Sequence, residues 1–503
     1  MSIAVRPPTL KDHSVREFDM LIDGQWVAGE GGRTLERVAP SHGVVASRYH
    51  IAARKDVEAA IAAARRAFDT GPWPRMRGAE RAEVLNRTAD LIEKHADEIA
   101  FLDVFEAGKP ITQVRGEIAG AVDIWRYAAA LARDLHGESY NTLGEGTLGV
   151  VLREPIGVVS IITPWNFPFL IVSQKLPFAL AAGCTCVVKP SELTSGSTLL
   201  LGRLLIEAGL PAGAVNIVAG TGAEVGALMT GHADVDMVSF TGSTGVGRLT
   251  MKNAADTLKK VSLELGGKNP QIVFPDANLE EFADAAVFGA FFNAGECCNA
   301  GSRLILHKSI APEALERIRA LSQRVRVGDP LDPSTQVGAI ITPEHLAKVS
   351  AYVADAKAGG AAVALGGETL DLGAGQFMAP TILDRVTPDM AVAREEVFGP
   401  VLSVLTFETM DEAIAIANSV DYGLSASVWS ASMDTCVKVA RSVRAGTIWT
   451  NTFMDGASEL PFGGYGQSGL GRELGRHAVE DYTETKTLNM HLGPRTGWWV
   501  PRE

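Results

Sequence analysis

Gly157-Val158-Val159-Ser160-Ile161-Ile162 is a short β-rich run, and the pattern that follows it decides the fold. Phe169 to Ala182 reads as a helix, Cys184 to Val188 as a strand and Ser195 to Ala208 as a helix. Strand Val215 to Val218, helix Ala223 to Thr230, strand Met237 to Phe240 and helix Val246 to Ala255 complete the series. Short strands alternating with helices predict a parallel sheet covered on both faces. Ligands of such sheets bind at the carboxyl ends of the strands.

Upstream of that series, Asp56 to Phe68 is an Ala-rich amphipathic helix, and Ala79 to Ala107 and Glu117 to Leu135 continue as helices. Downstream, a second β/α series runs from Gln271 to about Asn451. Two segments fit neither series: His136 to Arg153 is β-rich, and Thr483 to Leu492 alternates apolar and polar residues. The expected class is therefore α/β, with two doubly wound parallel-sheet domains and a small extra β-sheet. Residues 1–135 and 154–266 form the first domain, 267–480 the second, and 136–153 with 481–503 the extra segments. No internal repeat or low-complexity tract interrupts this division.

The chain has 503 residues, too many for a single core. Its net charge of −13 argues against nucleic acid or an anionic membrane as partner. Five cysteines, two of them adjacent, make no disulfide framework, and none has zinc-ligand spacing with histidines, so no metal site is expected. Met1 to His13 lacks an apolar signal core, and Thr163-Pro164-Trp165-Asn166 interrupts the longest apolar stretch. A cytoplasmic protein is the resulting expectation.

Two runs carry chemistry. Cys298 lies in Phe292-Asn293-Ala294-Gly295-Glu296-Cys297-Cys298-Asn299-Ala300-Gly301-Ser302-Arg303, and Glu264 in Leu263-Glu264-Leu265-Gly266-Gly267-Lys268. The helical pattern of Leu279 to Ala294 places the thiol just past a helix end. A thiol can attack a carbonyl carbon, and a carboxylate can activate the water that releases the acyl product. An isolated cysteine is more often a buried inert thiol, and an isolated glutamate beside Lys268 more often a surface charge. Their occurrence in two glycine-bracketed turns reverses that weighting.

These runs, with Thr163-Pro164-Trp165-Asn166-Phe167-Pro168, Val188-Lys189-Pro190-Ser191-Glu192, Phe240-Thr241-Gly242-Ser243-Thr244-Gly245-Val246-Gly247, Glu395-Glu396-Val397-Phe398-Gly399-Pro400 and Pro461-Phe462-Gly463-Gly464, resemble the NAD(P)-dependent aldehyde dehydrogenases of the hydrolytic type. The resemblance extends from about Leu21 to about Leu492. It departs at Glu296, where the family usually has Gln. A carboxylate there raises the thiol's pKa if it points inward.

The resemblance implies a small-molecule aldehyde as substrate, NAD as cofactor, and self-association as a homodimer or homotetramer through the two extra β segments. Cys298 would be the nucleophile and Glu264 the base. Asn166 and the Cys298 N–H would hold the oxyanion, and Lys175 would relay protons. Gly242, Ser243 and Gly247 would admit a pyrophosphate at a helix N-terminus, although their spacing taken alone fits any tight strand-to-helix turn. Lys189 and Glu192 would take the adenosine ribose, with Glu192 favouring NAD over NADP. Trp165 and Leu265 would also contact the cofactor, and Glu396 and Phe398 would hold the nicotinamide ribose and pack near the nicotinamide. Trp125, Phe167, Phe169, Ile171, Gln174, Phe453 and Phe462 would line the substrate pocket. Gln174 replaces the aromatic found in relatives for bulky or cationic aldehydes, which leaves aminoaldehydes, betaine aldehyde and other small polar aldehydes open. An NADP-preferring semialdehyde dehydrogenase is the second enzyme reading, discouraged by Glu192. A non-catalytic protein of this fold is the third, opposed by the presence of Cys298, Glu264 and Asn166.

Overall fold

Strand Val158–Ile162 lies inside an eight-stranded sheet in the computed structural model, which describes residues 3–10, 14–494 and 497–500. Its neighbours are Thr185–Lys189 on one side and Met237–Thr241 on the other, both parallel to it. Val215–Ile217 and Lys260–Glu264 extend the parallel core outward on either side. Chain order thus reverses at Val158–Ile162, and in sheets of this kind ligands bind at such a reversal, beyond the carboxyl ends of the two strands that flank it. Every residue of Val158–Ile162 and Thr185–Lys189 is buried, as helices on both faces require.

The second sheet has seven strands in the order Ala362–Leu365, Thr381–Asp384, Val401–Phe407, Arg303–His307, Pro270–Val273, Ser425–Trp429 and Thr447–Thr450. All neighbours are parallel except the first pair. The chain between 267 and 480 is not confined to this sheet. Gly469–Leu470 returns to pair antiparallel with Lys260–Glu264 in the first, which brings the following residues beside Glu264.

The third sheet joins Thr483–His491 to Thr147–Pro155, which in turn pairs with Glu138–Tyr140. Nine residues of Thr483–His491 are in register with Thr147–Pro155, and the opposite edge of Thr483–His491 has no strand partner among the described residues. Of segment 481–503, residues 495, 496 and 501–503 lie outside the described residues, as do 1, 2 and 11–13 of the first domain.

Several helices differ from the sequence expectation for local reasons. Ala79 to Ala107 is two helices, Gly78–Lys94 and Ala96–Ala107, because His95 leaves helical geometry between them. Gly108 then closes the second with φ +78°, a left-handed cap. Helix Ile111–Asp134 begins before Glu117. Ala223 to Thr230 is a wide turn, Gly222–Gly226, followed by helix Ala227–Gly231. The helix expected to reach Ala294 is Leu279–Phe291, since Asn293 and Ala294 both take positive φ and no helix can continue through them.

Candidate active site

The loop that carries Cys298 is fixed by polar side chains within it and around it. Asn293 Nδ2 donates to the carbonyls of Asn166 (3.0 Å) and Glu296 (2.9 Å), and Asn166 Nδ2 donates to the Glu296 carbonyl at 3.0 Å. Lys109 Nζ donates to the Asn166 carbonyl at 2.8 Å and pairs with Glu117 at 2.7 Å. On the far side, Asn269 Nδ2 donates to the carbonyls of Cys298 (2.7 Å) and Ala300 (3.0 Å). Gly295 has φ +73°, and a Cβ there would stand 2.1 Å from the Gly399 carbonyl oxygen, so only glycine lets the loop meet residues 399–400. The result is a bend held at four backbone carbonyls, with Cys297 buried and Cys298 partly open.

The Cys298 thiol is raised well above its ordinary pKa. Its hydrogen bond with Cys297 comes first among the causes, then burial, then the charges of Cys297, Glu396 and Glu264. Glu296 does not face it. That carboxyl turns the other way and accepts the Ile341 N–H at 3.0 Å. Burial raises its own pKa well above the ordinary range.

Glu264 ends strand Lys260–Glu264 and is only 4% exposed. Lys268 is 2% exposed, so neither is a surface charge. Both oxygens of Glu264 lack a hydrogen-bond partner among the described residues, which leaves them to accept from water or a reactant. Gly463, at φ +156°, makes the room: a Cβ there would lie 2.7 Å from Glu264 Oε1. Burial first, and then the neighbouring charge of Glu473, push the Glu264 carboxyl well above the usual range. Lys175 ion-pairs with Glu473 and donates to Ser239 Oγ at 3.1 Å, which also receives the Tyr482 hydroxyl at 3.1 Å. Glu473 was invisible to the sequence reading because it lies about 300 residues from Lys175; only the returning strand Gly469–Leu470 brings it near.

On the opposite wall, Ser243 caps helix Thr244–Ala255 by accepting the Val246 N–H at 3.4 Å. Gly242 N–H donates to the Glu264 carbonyl at 3.0 Å, joining this turn to the end of strand Lys260–Glu264. A Cβ at Gly247 would collide with Leu265, so these two pack directly. Nothing approaches within 4 Å of the Cβ position of Gly245, so the helix N-terminus faces open space. Val246 and Leu249 expose apolar side chains on the same helix. Lys189 is buried, donates to the Pro190 carbonyl at 2.8 Å and lies 3.4 Å from Glu192, whose side chain is 34% exposed. A helix N-terminus facing open space, an apolar ledge and a buried lysine beside a half-open carboxylate fit a dinucleotide of the NAD type. Glu396 folds onto the Gly266-Gly267 turn, accepting the Gly267 N–H at 3.0 Å, and burial lifts its pKa to about 7. Trp165 meets the Phe398 ring edge-on at 5.4 Å.

The pocket candidates divide. Phe167 and Ile171 pack in one small cluster with Cys297 and Ala300, joined by Leu170, Phe292 and Met454. Phe167 and Phe292 stack at 6.0 Å, with Lys109 over the Phe167 ring. Gln174 and Phe462 are half-buried. Trp125 and Phe169 belong to the first domain's core; the Trp125 indole is wholly enclosed and donates to Ser173 at 3.1 Å. Phe453 belongs to the second core, packed against Gly289 and Gly301 beside the Cys298 loop. These three lie in the cores and not in the Phe167–Ile171 cluster. Asp123 and Glu459 are exposed, and Ser458 donates to Asp123 at 2.5 Å, which draws the segment carrying Glu459 to the helix carrying Asp123. Among the described residues no helix is long and apolar enough to cross a membrane, and no cluster of three potential metal ligands occurs.

The aldehyde dehydrogenase family matches residues 26–488. The aminoacetaldehyde dehydrogenase of Pseudomonas aeruginosa is 44% identical over 471 residues, covering 93% of this chain and 94% of its own. Among solved structures, an NAD-dependent aldehyde dehydrogenase from Sinorhizobium meliloti superposes with a TM-score of 0.97 at 48% identity, over 99% of both chains. The betaine aldehyde dehydrogenase of Staphylococcus aureus, solved in complex with NAD+, superposes with a TM-score of 0.94 at 38% identity, over 96% of this chain and 97% of that one.

Proposed function

Since this chain belongs to the aldehyde dehydrogenase family, oxidoreductases acting on aldehydes, we propose that it oxidises a small polar or amine-bearing aldehyde to the carboxylic acid with NAD and water. The observation that carries this reading is the unpartnered, buried Glu264 carboxyl lodged between the nucleotide turn and the thiol loop.

The residues divide the work. The Cys298 sulfur attacks the carbonyl carbon as its thiolate. Charge then develops on the former carbonyl oxygen. Asn166 Nδ2 has two hydrogens, and only one is used by the Glu296 carbonyl, so the second serves that oxygen together with the Cys298 N–H. Bound NAD supplies the two-electron acceptor. Glu264 takes a proton from water, whose oxygen attacks the thioester carbon; the C–S bond breaks, the acid leaves and the thiolate is restored. The Lys175–Glu473 pair beside Glu264 carries that proton onward. Acylating relatives that hand the thioester to coenzyme A generally lack a carboxylate at the Glu264 position, so water is the acceptor here.

Asp123 and Glu459 support an amine-bearing substrate over an anionic one, and the Phe167, Phe292, Leu170 and Met454 lining supports a short apolar segment next to the aldehyde. The unpaired outer edge of Thr483–His491 supports self-association as a homodimer or homotetramer. Following NADH absorbance with a panel of short aldehydes tests the assignment. Turnover with ω-amino or trimethylammonio aldehydes, and little with ω-carboxylates, is the expected result; no turnover with any aldehyde would overturn it.

A further inference from the structure

Glu396 and Phe398 lie on a segment with no regular structure of its own, between helix Ala391–Arg394 and strand Val401–Phe407. Phe398 has φ +60°, a conformation costly for a residue with a Cβ unless its surroundings hold it there. The hold is visible. His345 Nε2 lies 2.6 Å from the Phe398 carbonyl oxygen. A carbonyl only accepts, so Nε2 carries the hydrogen.

The imidazole is itself fixed. His345 stands in the first turn of helix Pro343–Ala358, and its backbone N–H is taken by the capping Thr342 hydroxyl at 3.2 Å. Its ring meets Trp165 edge-on at 5.7 Å and Phe398 at 6.0 Å. Behind it, Glu296 Oε1 lies 3.8 Å from Nε2 while bonded to Ile341 N–H. The turn after strand Val158–Ile162, the thiol loop and the Glu396–Phe398 segment therefore converge on one ring. Burial lowers the ring's pKa, which fits a neutral donor.

We propose that His345 is a positioning residue for cofactor binding: its Nε2–H bond to the Phe398 carbonyl holds the Glu396–Phe398 segment in the conformation that receives the nicotinamide end of NAD. This rests on the reading of Glu396 and Phe398 as cofactor residues, and the experiment separates the two.

NAD affinity is measured by titration calorimetry on the full-length protein, and the rate of Cys298 alkylation by iodoacetamide is measured without NAD. His345→Leu is expected to raise the Kd for NAD about tenfold, the scale of one lost buried hydrogen bond. Alkylation should stay within about twofold. His345→Gln, which keeps a donor of sufficient reach, should return the Kd to within about threefold, whereas His345→Asn is too short and should not. If His345→Leu fails to fold, the Gln and Asn variants supply the same contrast. Equal affinity in those two, or a tenfold slowing of alkylation alongside the loss of affinity, overturns the proposal. Phe398→Ala is the control: if it weakens NAD binding while His345→Leu does not, only this inference fails. If Phe398→Ala binds NAD as the unaltered protein does, the reading of the cofactor site fails with it.

Discussion

Asn166 beside the thiol loop, Glu264, and the Lys175–Glu473 pair next to Glu264 are none of them more than 4% exposed. Across the cleft the nucleotide wall offers backbone donors of helix Thr244–Ala255 and a Glu192 side chain one-third open to water. The first wall works with side-chain charges in a buried region shielded from bulk solvent, where electrostatic interactions are strong and an unpaired charge is costly. The second works with peptide dipoles and a screened carboxylate. Substitutions on the first wall should therefore change the reaction by orders of magnitude, and those on the second should shift preference.

The largest effect tests the thiol itself. Cys298→Ala should lower kcat by on the order of 10⁴-fold or more, because no other group offers the nucleophile. Cys297→Ala should keep most activity. Mapping iodoacetamide adducts by mass spectrometry checks this, and preferential labelling of Cys297 together with an inactive Cys297→Ala variant would reverse the assignment.

Glu264→Gln should acylate normally and then stall, giving one equivalent of NADH followed by a steady state slowed about 10²–10⁴-fold. A wild-type steady state would remove Glu264 from the mechanism. The pH dependence has a definite sign. Both the Glu264 carboxyl and the Cys298 thiol are raised above their ordinary values, and both work in the deprotonated form. The competent forms accumulate only above those raised values, so kcat/KM, which the thiol governs, and kcat, which Glu264 governs where deacylation limits, should both climb from neutral into the alkaline range and fall as the pH drops. A flat profile between about pH 6 and pH 9 would contradict the burial argument.

The buried ion pair comes next. Lys175→Met leaves Glu473 as an uncompensated carboxyl in the interior, which typically costs about 3–5 kcal/mol. Replacing both partners, as Lys175→Met with Glu473→Leu, should recover much of that stability without recovering turnover. Denaturant melts of the single and double variants measure it, and a single variant as stable as the parent would show that the pair is dispensable.

The two walls also differ in how much of them the sequence displays. Alternating strands and helices made both parallel sheets legible, since that pattern is local and each buried strand is a continuous apolar run. Cys298, Glu264 and Asn166 were legible because the motifs around them are local too. Glu473, Asn269 and His345 were not. Each acts through a contact between segments far apart in the chain, and the residues around them carry no pattern that marks the contact. The pocket was half legible for the same reason: Phe167 and Ile171 sit together, while Trp125, Phe169 and Phe453 share their composition but face the cores, a distinction set by packing. Glu296 shows the limit most directly. Its position beside the thiol suggested a raised thiol pKa, and the thiol is raised, yet Cys297 and burial are the leading causes while the Glu296 carboxyl turns to Ile341.

The smallest expected effect lies on the open wall. Glu192 can accept hydrogen bonds from the two ribose hydroxyls of NAD but would face the 2′-phosphate of NADP with like charge. Two features moderate the repulsion. The carboxylate is 34% exposed, so water screens it, and the buried Lys189 ammonium 3.4 Å away offsets part of its field. A repulsion of about 1.4 kcal/mol corresponds to tenfold, so a preference for NAD of roughly ten- to a hundredfold in kcat/KM is expected, nearer the lower figure. Glu192→Gln keeps the acceptor oxygen and removes the charge. It should therefore narrow the gap chiefly by improving NADP, with NAD changed less than about threefold. Steady-state kinetics with both cofactors at one saturating aldehyde concentration decides it. Equal kcat/KM values in the unaltered enzyme would show that Glu192 does not face the ribose. A Glu192→Gln variant that loses NAD without gaining NADP would instead assign the carboxylate to holding Lys189, and the nucleotide wall would then depend on a buried charge as the thiol wall does.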